Sequence, residues 1–287
     1  VEDLERKVRI ATILGTIQST YTKFPYLRKV WQRNTEEERL LGVSLTGIMD
    51  NRILTSKNKG LPKTLEHLRN VAVTTNAEFA SRFDIPPSTA ISCVKPSGTV
   101  SQLVDSASGI HPRHSAYYIR TVRGDNKDPL TTFMKDSGIP NEPDVMKPDA
   151  TTVFSFPVKA PQNAILTADL TAIEQLETWL IYQRHWCEHK PSITVNVRKD
   201  EWFSVGAFVY EHFDEMSGVS FLPYNEHTYQ QAPYQEVGKS EYKDLLDLMP
   251  KTIDWSKLSE YEKEDTTAGS QTLACTGDVC EIVDIGA

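Results

Sequence analysis

An α/β architecture with a parallel sheet or barrel is predicted by the alternation of strand-like and helix-like segments along the first 222 residues. Five short segments are apolar, β-branched or alternating, as strands are: 41–47, 89–94, 153–158, 192–197 and 218–222. Three longer segments are typical of helices: 62–82, 170–187 and 201–216. Strands that are separated by helices favour parallel pairing, because each helix carries the chain back along the sheet.

Two further helices complete this expectation. The first 33 residues are predicted to be helical because apolar residues recur at three- and four-residue steps, at Leu4, Val8, Ala11, Leu14 and Ile17. A short helix is predicted at roughly 99–107, after the second strand. From about residue 225 the sequence becomes polar, and residues 259–272 are charged and then small, as in a mobile tail.

Composition narrows the class of protein. Hydrophobic residues make up 39% and charged residues 24% of the 287, which is typical of a soluble chain with a real core. The net charge of −8 argues against a nucleic-acid-binding surface and against docking on an acidic membrane. We find no apolar run long enough to span a membrane and no signal-peptide pattern. Four cysteines in a chain of this size favour a reducing, cytosolic setting over a disulfide scaffold.

The segment Lys95-Pro96-Ser97-Gly98-Thr99 lies between a predicted strand and a predicted helix. Free backbone N–H groups of a first helical turn and the helix dipole attract phosphate there. Gly98 allows close approach of the backbone, while Ser97, Thr99 and Lys95 add donors and charge. An ordinary strand-to-helix turn capped by Ser or Thr explains the same pattern. The spacing of a P-loop is missing.

The polar tail ends in Cys275-Thr276-Gly277-Asp278-Val279-Cys280. The central Gly-Asp favours a turn that brings the two sulfurs together, and exposed thiols exchange with disulfides. Half of a zinc site is one alternative, although a structural zinc usually takes four ligands and no other Cys or His is nearby. Two ordinary free thiols are another, although cysteine is usually buried.

Two other segments carry histidine. Ser108–His114, followed by Tyr117–Arg120, suggests a ligand-facing turn between a helix and a strand, and a structural turn with aromatic packing explains it as well. Trp186-Cys187-Glu188-His189 suggests metal or acid–base chemistry, but its position at a helix end favours packing and capping. The sequence predicts no metal site.

Taken together, the segments resemble the monomeric, adenosylcobalamin-dependent (class II) ribonucleoside-triphosphate reductases. The resemblance runs in the family's order over almost the whole chain, through 42–47, 94–101, 109–112 with 117–120, 153–161, 192–197, 217–224 and the Cys275/Cys280 tail. Each segment alone is weak evidence for the resemblance, whereas the whole set in this order is strong evidence.

The resemblance implies the C-terminal half of a ten-stranded α/β barrel, with a cobalamin-contacting region and a flexible C-terminal tail. The expected organisation is a half-barrel over 1–224 that includes a cobalamin-contacting segment at about 109–170, a second such region at 225–258, and a redox tail at 259–287. It also implies roles for individual residues, namely substrate phosphate binding by Pro96, Ser97, Gly98 and Thr99, cofactor contacts by Gly109, His111 and Pro112, and thioredoxin-dependent re-reduction of the active site by Cys275 and Cys280.

The chain also departs from the family. The Asn-Pro-Cys-Gly-Glu element with the radical cysteine is missing, and Cys93 is no substitute because it lies in a buried-strand pattern without a neighbouring Glu. We therefore expect a fragment that cannot reduce a ribonucleoside triphosphate without the N-terminal half, which belongs upstream of Val1. The alternatives are a non-catalytic half of a split reductase that works only when assembled, and an unrelated redox protein that uses only its tail thiols.

Overall fold

The structure is a computed structural model that describes residues 1–97, 100–224 and 229–263. Its helices, α1 to α9 in chain order, are Glu2–Gln18, Lys29–Glu38, Leu61–Arg82, Val100–Leu103, Pro129–Asp136, Ala172–His185, Trp202–Glu211, Lys239–Leu248 and Leu258–Tyr261. Its strands, β1 to β8, are Val43–Ser44, Ser92–Cys93, Tyr117–Asp125, Asn141–Pro143, Thr151–Lys159, Thr194–Val197, Ser220–Pro223 and Tyr234–Glu236. These elements form two compact units, the first from Val1–Ser115 and Ala160–Glu226, the second from Ala116–Lys159 and His227–Ala287.

Parallel strands organise the first unit. β1 pairs with β2, and β6 pairs with β7, both in parallel. The segment that leads into β6 runs beside β2, because the Ser192 N–H donates to the Val94 carbonyl at 2.9 Å and the Glu188 N–H donates to the Ser92 carbonyl at 3.0 Å. Helix α3 connects β1 to β2, and α7 connects β6 to β7. The predicted parallel α/β arrangement is confirmed for this unit.

Helices α3 and α6 supply much of the first unit's core. On α3, Leu61, Leu65 and Leu68 are fully buried at three- and four-residue steps, which places them on one helical face. Helix α6 begins at a capping box, in which the Thr171 hydroxyl accepts from the Glu174 N–H and the Glu174 carboxylate accepts from the Thr171 N–H. Both helices match the predicted segments, since burial and capping agree with the sequence pattern.

The N-terminal helix differs from the prediction in length and in its buried face. Helix α1 ends at Gln18, where the Ser19 and Thr20 hydroxyls donate to carbonyls of the last turn, and α2 begins only at Lys29. The exposed fractions of Leu14 and Ile17 are 62% and 40%, while the threonines of this helix, Thr12 and Thr16, are fully buried. Their hydroxyls donate to the carbonyls four residues back, so they pack without an unsatisfied donor.

The second unit contains a four-stranded antiparallel sheet in the order β4-β5-β3-β8. The expected parallel pairing is therefore wrong for this part of the chain. The connection from β3 to β5 contains α5 and the short β4, and it returns the chain beside β3 in the opposite direction. Helix α8 packs against the sheet through Tyr242 and Tyr117, whose ring centroids are 5.1 Å apart.

Two further helix predictions are corrected. The helix expected at 99–107 spans only Val100–Leu103 within the described residues, because Asp105 has a φ of 44°, which a right-handed helix does not contain. The helix expected at 201–216 ends at Glu211 and is followed by a single 3-10 turn at Phe213–Glu215. Across the described ranges, none of the helices combines the length and the apolar content that crossing a membrane requires.

Candidate functional site

The loop after β2 carries the Ser97 hydroxyl and is supported by two hydroxyl groups from other turns, those of Thr46 and Ser108. The Ser97 N–H donates to the Ser108 hydroxyl at 3.1 Å, and the Ser97 hydroxyl lies 3.1 Å from the same oxygen. The Thr46 hydroxyl, just beyond β1, lies 3.4 Å from the Ser97 hydroxyl and accepts from the Gly109 N–H at 2.9 Å. The carboxyl ends of two neighbouring parallel strands therefore meet at a cluster of hydroxyl groups formed by Thr46, Ser97 and Ser108.

Gly109 allows two backbone segments to approach one another. It has a φ of 54°, in the left-handed region, and a Cβ at this position would lie 2.8 Å from the Lys95 carbonyl oxygen. A side chain here would displace the loop that follows β2. The turn at 108–109 therefore fixes the position of Ser97 through its backbone as well as through the Ser108 hydroxyl.

A buried ion pair between Arg113 and Asp50 also holds the turn at 105–109 in place. The Arg113 guanidinium, with only 2% of its side chain exposed, donates to the Asp50 carboxylate at 2.8 Å and to the Asp105 carbonyl at 2.6 Å. The Asp50 carboxylate also accepts from the Ala107 N–H at 2.8 Å. Since Asp50 lies just beyond β1, this network ties the 105–109 turn to the first strand.

His111 is fixed in one tautomer by two backbone groups. The Thr194 N–H donates to Nε2 at 3.0 Å, so Nε2 must be unprotonated, and Nδ1 therefore carries the proton that it shares with the Ser108 carbonyl at 3.1 Å. Burial lowers the pKa of this imidazole, and the bond to the Ser108 carbonyl opposes that shift only in part. His111 is thus a neutral link between the 108–111 turn and the start of β6.

Lys95 brings positive charge to the loop. Its N–H donates to the Ser44 hydroxyl and its ammonium donates to the Ser192 hydroxyl, both at 3.0 Å. The side chain is exposed and has no carboxylate within ion-pair distance among the described residues. A cation held by a neutral hydroxyl can attract an incoming anion without first breaking an ion pair.

The structure brings some of the sequence-predicted residues together. Pro96 and Ser97 lie in the loop after β2, and Gly109, His111 and Pro112 lie in the turn that supports it. Four predicted site residues, Gly98, Thr99, Cys275 and Cys280, lie outside the described residues.

The remaining two cysteines are thiols of the first unit, of which Cys93 is buried and Cys187 is partly buried. Burial raises the pKa of Cys93, and burial together with the nearby Cys93 raises the pKa of Cys187 to about 12. The indole of Trp186 donates to the Cys93 carbonyl at 2.7 Å, so the packing interpretation of this helix end is confirmed. The described residues contain no group of His, Cys, Asp or Glu that could hold a metal ion.

The sequence prediction gave no individual role to four supporting residues, Thr46, Asp50, Ser108 and Arg113, although Ser108 and Arg113 fall in the predicted turn at 108–114 and Thr46 in the segment 42–47. Asp50 and Arg113 are 63 positions apart, and no local pattern relates them. A further concavity of about 570 Å³ in the first unit is lined by Arg52, Lys57, Asn58 and Asn163 among others. None of the predicted site residues that the structure describes lines it.

The amino-acid sequence of this chain is similar to those of several curated enzymes. A protein of Euglena gracilis named adenosylcobalamin-dependent ribonucleoside-triphosphate reductase is 27% identical over 286 residues, which are 98% of this chain and 38% of that protein. A protein of the same name from Lactobacillus gasseri is 26% identical over 258 residues, 79% of this chain and 34% of that protein. The curated homologues of this chain are adenosylcobalamin-dependent ribonucleoside-triphosphate reductases. The resemblance predicted from the motifs is thereby confirmed.

These reductases are much longer than this chain, which spans a little over a third of the length of the relatives it matches. A solved structure described as a B12-dependent (class II) ribonucleotide reductase matches with a TM-score of 0.76 and 23% identity. That match covers 91% of this chain and 40% of the solved one, and it shows a shared fold. No family model matches the chain.

Proposed function

We propose that this chain is the C-terminal half of an adenosylcobalamin-dependent ribonucleoside-triphosphate reductase, and that it binds the substrate's phosphates at the loop after β2. The reaction replaces the 2′ hydroxyl of a ribonucleotide by hydrogen, using radical chemistry and two electrons from thiols. The observation that carries the proposal is the hydroxyl cluster of Thr46, Ser97 and Ser108 at the carboxyl ends of β1 and β2. In parallel α/β sheets, ligands bind at that end of the strands.

The chain's own residues would hold and orient the triphosphate. Hydroxyl groups on separate turns donate to phosphate oxygens without adding charge, and Lys95 supplies one positive charge beside them. The proposed contacts of Gly98 and Thr99 add backbone and hydroxyl donors. Because Gly109, His111 and the Asp50–Arg113 pair fix the supporting turn, these donors are positioned before the substrate arrives.

We further propose that β1, β2, β6 and β7 belong to one half of a ten-stranded α/β barrel. The radical cysteine would come from a separate N-terminal segment, because no Asn-Pro-Cys-Gly-Glu element occurs in these 287 residues. Cys93 and Cys187 are not proposed as substitutes, since Cys93 is buried, Cys187 is partly buried and neither lies in such an element. The Cys275 and Cys280 thiols would re-reduce the active-site disulfide and be reduced in turn by thioredoxin.

The residues of the described ranges fit an adenosylcobalamin cofactor. When bound, it supplies the radical by homolysis of its cobalt–carbon bond. The two segments assigned to it from the sequence, 109–170 and 225–258, both contribute strands to the sheet of the second unit. That sheet carries a buried guanidinium nitrogen of Arg120 without an acceptor, as expected where a ligand oxygen binds. The cofactor contacts assigned to Gly109, His111 and Pro112 from the sequence are kept as a proposal, in which His111 would not ligate cobalt, since Nε2 already accepts from the Thr194 N–H.

Binding and turnover experiments test the proposal. The chain should bind tripolyphosphate, and Ser97→Ala or Ser108→Ala should weaken that binding roughly tenfold, as expected for the loss of a hydrogen bond to a charged group. Ser204→Ala, an exposed serine of α7, is the matched control. The chain alone should not reduce nucleoside triphosphates, and assembly with its N-terminal half should give adenosylcobalamin-dependent turnover. Turnover by the chain alone, or by the assembly without the cofactor, would refute the proposal.

A further inference from the structure

Arg120 of β3 is a cation without a counter-charge among the residues that the structure describes. The side chain is half-buried, and its Nε is buried without a hydrogen-bond partner. None of the carboxylates in the described ranges lies within ion-pair distance of it. An unsatisfied buried donor is rare in proteins, and the cost of desolvating it is highest for a charged group.

The neighbours of Arg120 on the same face of the sheet are aromatic. Arg120 lies opposite Phe156 on β5 and opposite Tyr234 on β8. Its guanidinium carbon is 4.3 Å from the centroid of the Tyr234 ring, and Tyr234 packs against Tyr118 with ring centroids 5.9 Å apart. The cation–π contact orients the planar guanidinium and leaves its N–H edge for an acceptor in the plane of the guanidinium.

Arg123 provides a comparison within the same strand. Three residues further along β3, on the other face of the sheet, its guanidinium donates to the Asp144 carboxylate at 2.8 Å and to the Gln231 carbonyl at 3.1 Å. Among the described residues, one arginine of this strand therefore has both an ion pair and a backbone acceptor, while the Nε of the other has no acceptor. The carboxylate nearest in register, Glu236, lies opposite Tyr118 and does not pair with Arg120.

We propose that Arg120, held against Tyr234, binds a phosphate oxyanion of a ligand whose apolar body packs beside Phe156. Arginine presents its donors in a fork that matches two phosphate oxygens. The identification of this ligand rests on the proposed function. The ligand is adenosylcobalamin, and the oxyanion is the phosphodiester that links its corrin ring to the benzimidazole nucleotide. A nucleotide phosphate offers the same chemistry from a different source, and the test separates the two.

The experiment uses the full 287-residue chain and two substitutions that remove the same charge. Arg120→Gln removes the proposed donor, and Lys159→Gln is the control, because Lys159 is an exposed residue of β5 that forms no ion pair within the described ranges. Equilibrium dialysis measures the affinity for adenosylcobalamin, for adenosylcobinamide, which has the corrin but no phosphodiester, and for ATP. The thermal unfolding midpoint is measured without ligand.

Arg120→Gln should weaken adenosylcobalamin binding by roughly ten- to a hundredfold, the range for a charge-assisted hydrogen bond, and leave adenosylcobinamide binding unchanged. The ligand-free unfolding midpoint of Arg120→Gln should be no lower than that of Lys159→Gln, because a binding arginine without a partner contributes little to stability. A lower midpoint combined with unchanged affinity for every phosphate ligand would make Arg120 a structural residue and overturn the inference. An equal loss of affinity for adenosylcobalamin and for adenosylcobinamide would overturn the assignment of Arg120 to the phosphodiester.

The remaining outcomes separate this inference from the proposed function. Tight binding of adenosylcobalamin that does not depend on Arg120 would overturn the inference and leave the cofactor assignment standing. Arg120-dependent binding of ATP without any binding of adenosylcobalamin would support the oxyanion site and count against the cofactor. No binding of any phosphate ligand by the unaltered chain would overturn the inference.

Discussion

The Lys95 carbonyl oxygen lies 2.8 Å from the position that a Cβ on Gly109 would occupy. This approach brings the loop after β2 and the turn at 108–109 into direct backbone contact. Gly109 also donates its N–H to the Thr46 hydroxyl at 2.9 Å, so one glycine connects the ends of two parallel strands. The conformation of the proposed phosphate loop therefore depends on a residue ten positions or more beyond it.

Gly109→Ala is expected to lower the free energy of unfolding by about 3 kcal/mol, because the left-handed φ and the contact with Lys95 both oppose a side chain. Gly138→Ala is the matched control, since its φ of 79° imposes similar backbone strain while its Cβ position is open. Gly138→Ala should lower the free energy of unfolding by only about 1 kcal/mol. Urea unfolding of both variants measures the difference, and equal losses would show that the contact with Lys95 is unimportant.

Arg113→Met should destabilise the chain by about 3–5 kcal/mol, the usual result of removing one partner of a buried pair. It leaves the Asp50 carboxylate half-buried without its cation and frees the 105–109 turn. The exposed pair of Arg184 and Glu215 provides the control, and Arg184→Gln should cost at most about 1 kcal/mol despite its short 2.5 Å contact. Denaturant unfolding compares the two, and similar losses would contradict the structural role of Arg113.

The sequence predicted the long elements better than the long-range contacts. Helices α3 and α6 follow from local spacing and capping, which the structure retains. The buried face of α1 was mispredicted because Thr12 and Thr16 satisfy their own hydroxyls, and because Thr16 also accepts from the Asn76 amide at 3.0 Å. The antiparallel sheet was missed because neither the pairing of β3 with β5 nor that of β3 with the three-residue β8 leaves a local pattern in the sequence.

The candidate site was likewise predictable only where a local sequence pattern marks it. Pro96 and Ser97 follow a recognisable strand, so their position in a loop at the strand end could be inferred. The supporting residues Thr46 and Ser108 are 51 and 11 positions from Ser97, and hydroxyl residues at such distances are common in any chain. His111 was identified as ligand-facing, and only the structure shows that both of its ring nitrogens bind backbone groups.

Lower pH should destabilise the fold through His111. Burial depresses its pKa in the folded state, so the unfolded chain takes up the proton first as the pH falls below the ordinary histidine value of about 6.5. The contribution of His111 to the free energy of unfolding is therefore complete above that pH. It is lost as the pH falls towards the folded-state pKa of His111, by at most about 1.4 kcal/mol per pH unit. Unfolding free energies from pH 8 to 5 should fall less steeply for His111→Gln. Parallel pH profiles for the two proteins would refute this coupling.

The last prediction concerns the reactivity of the four cysteines. Only the thiolate reacts with an alkylating agent, and the pKa of Cys187, raised to about 12 by burial, leaves very little thiolate at pH 8. An ordinary thiol has a pKa near 8.5, so Cys187 should react at least about a thousandfold more slowly than a free thiol on this ground alone. Cys93 should also be protected, since it is buried and its pKa is raised.

If Cys275 and Cys280 form the proposed redox pair, they should account for all rapid labelling of the reduced native chain with iodoacetamide. The variant Cys275→Ser/Cys280→Ser should take up no label until it is unfolded, and Cys93→Ser/Cys187→Ser should be labelled twice at the rate of a free thiol. Mass spectrometry of peptides after timed quenching identifies each modified site. Rapid labelling of Cys187 in the folded chain would contradict its burial, and slow labelling of the tail thiols would count against their exchange with thioredoxin.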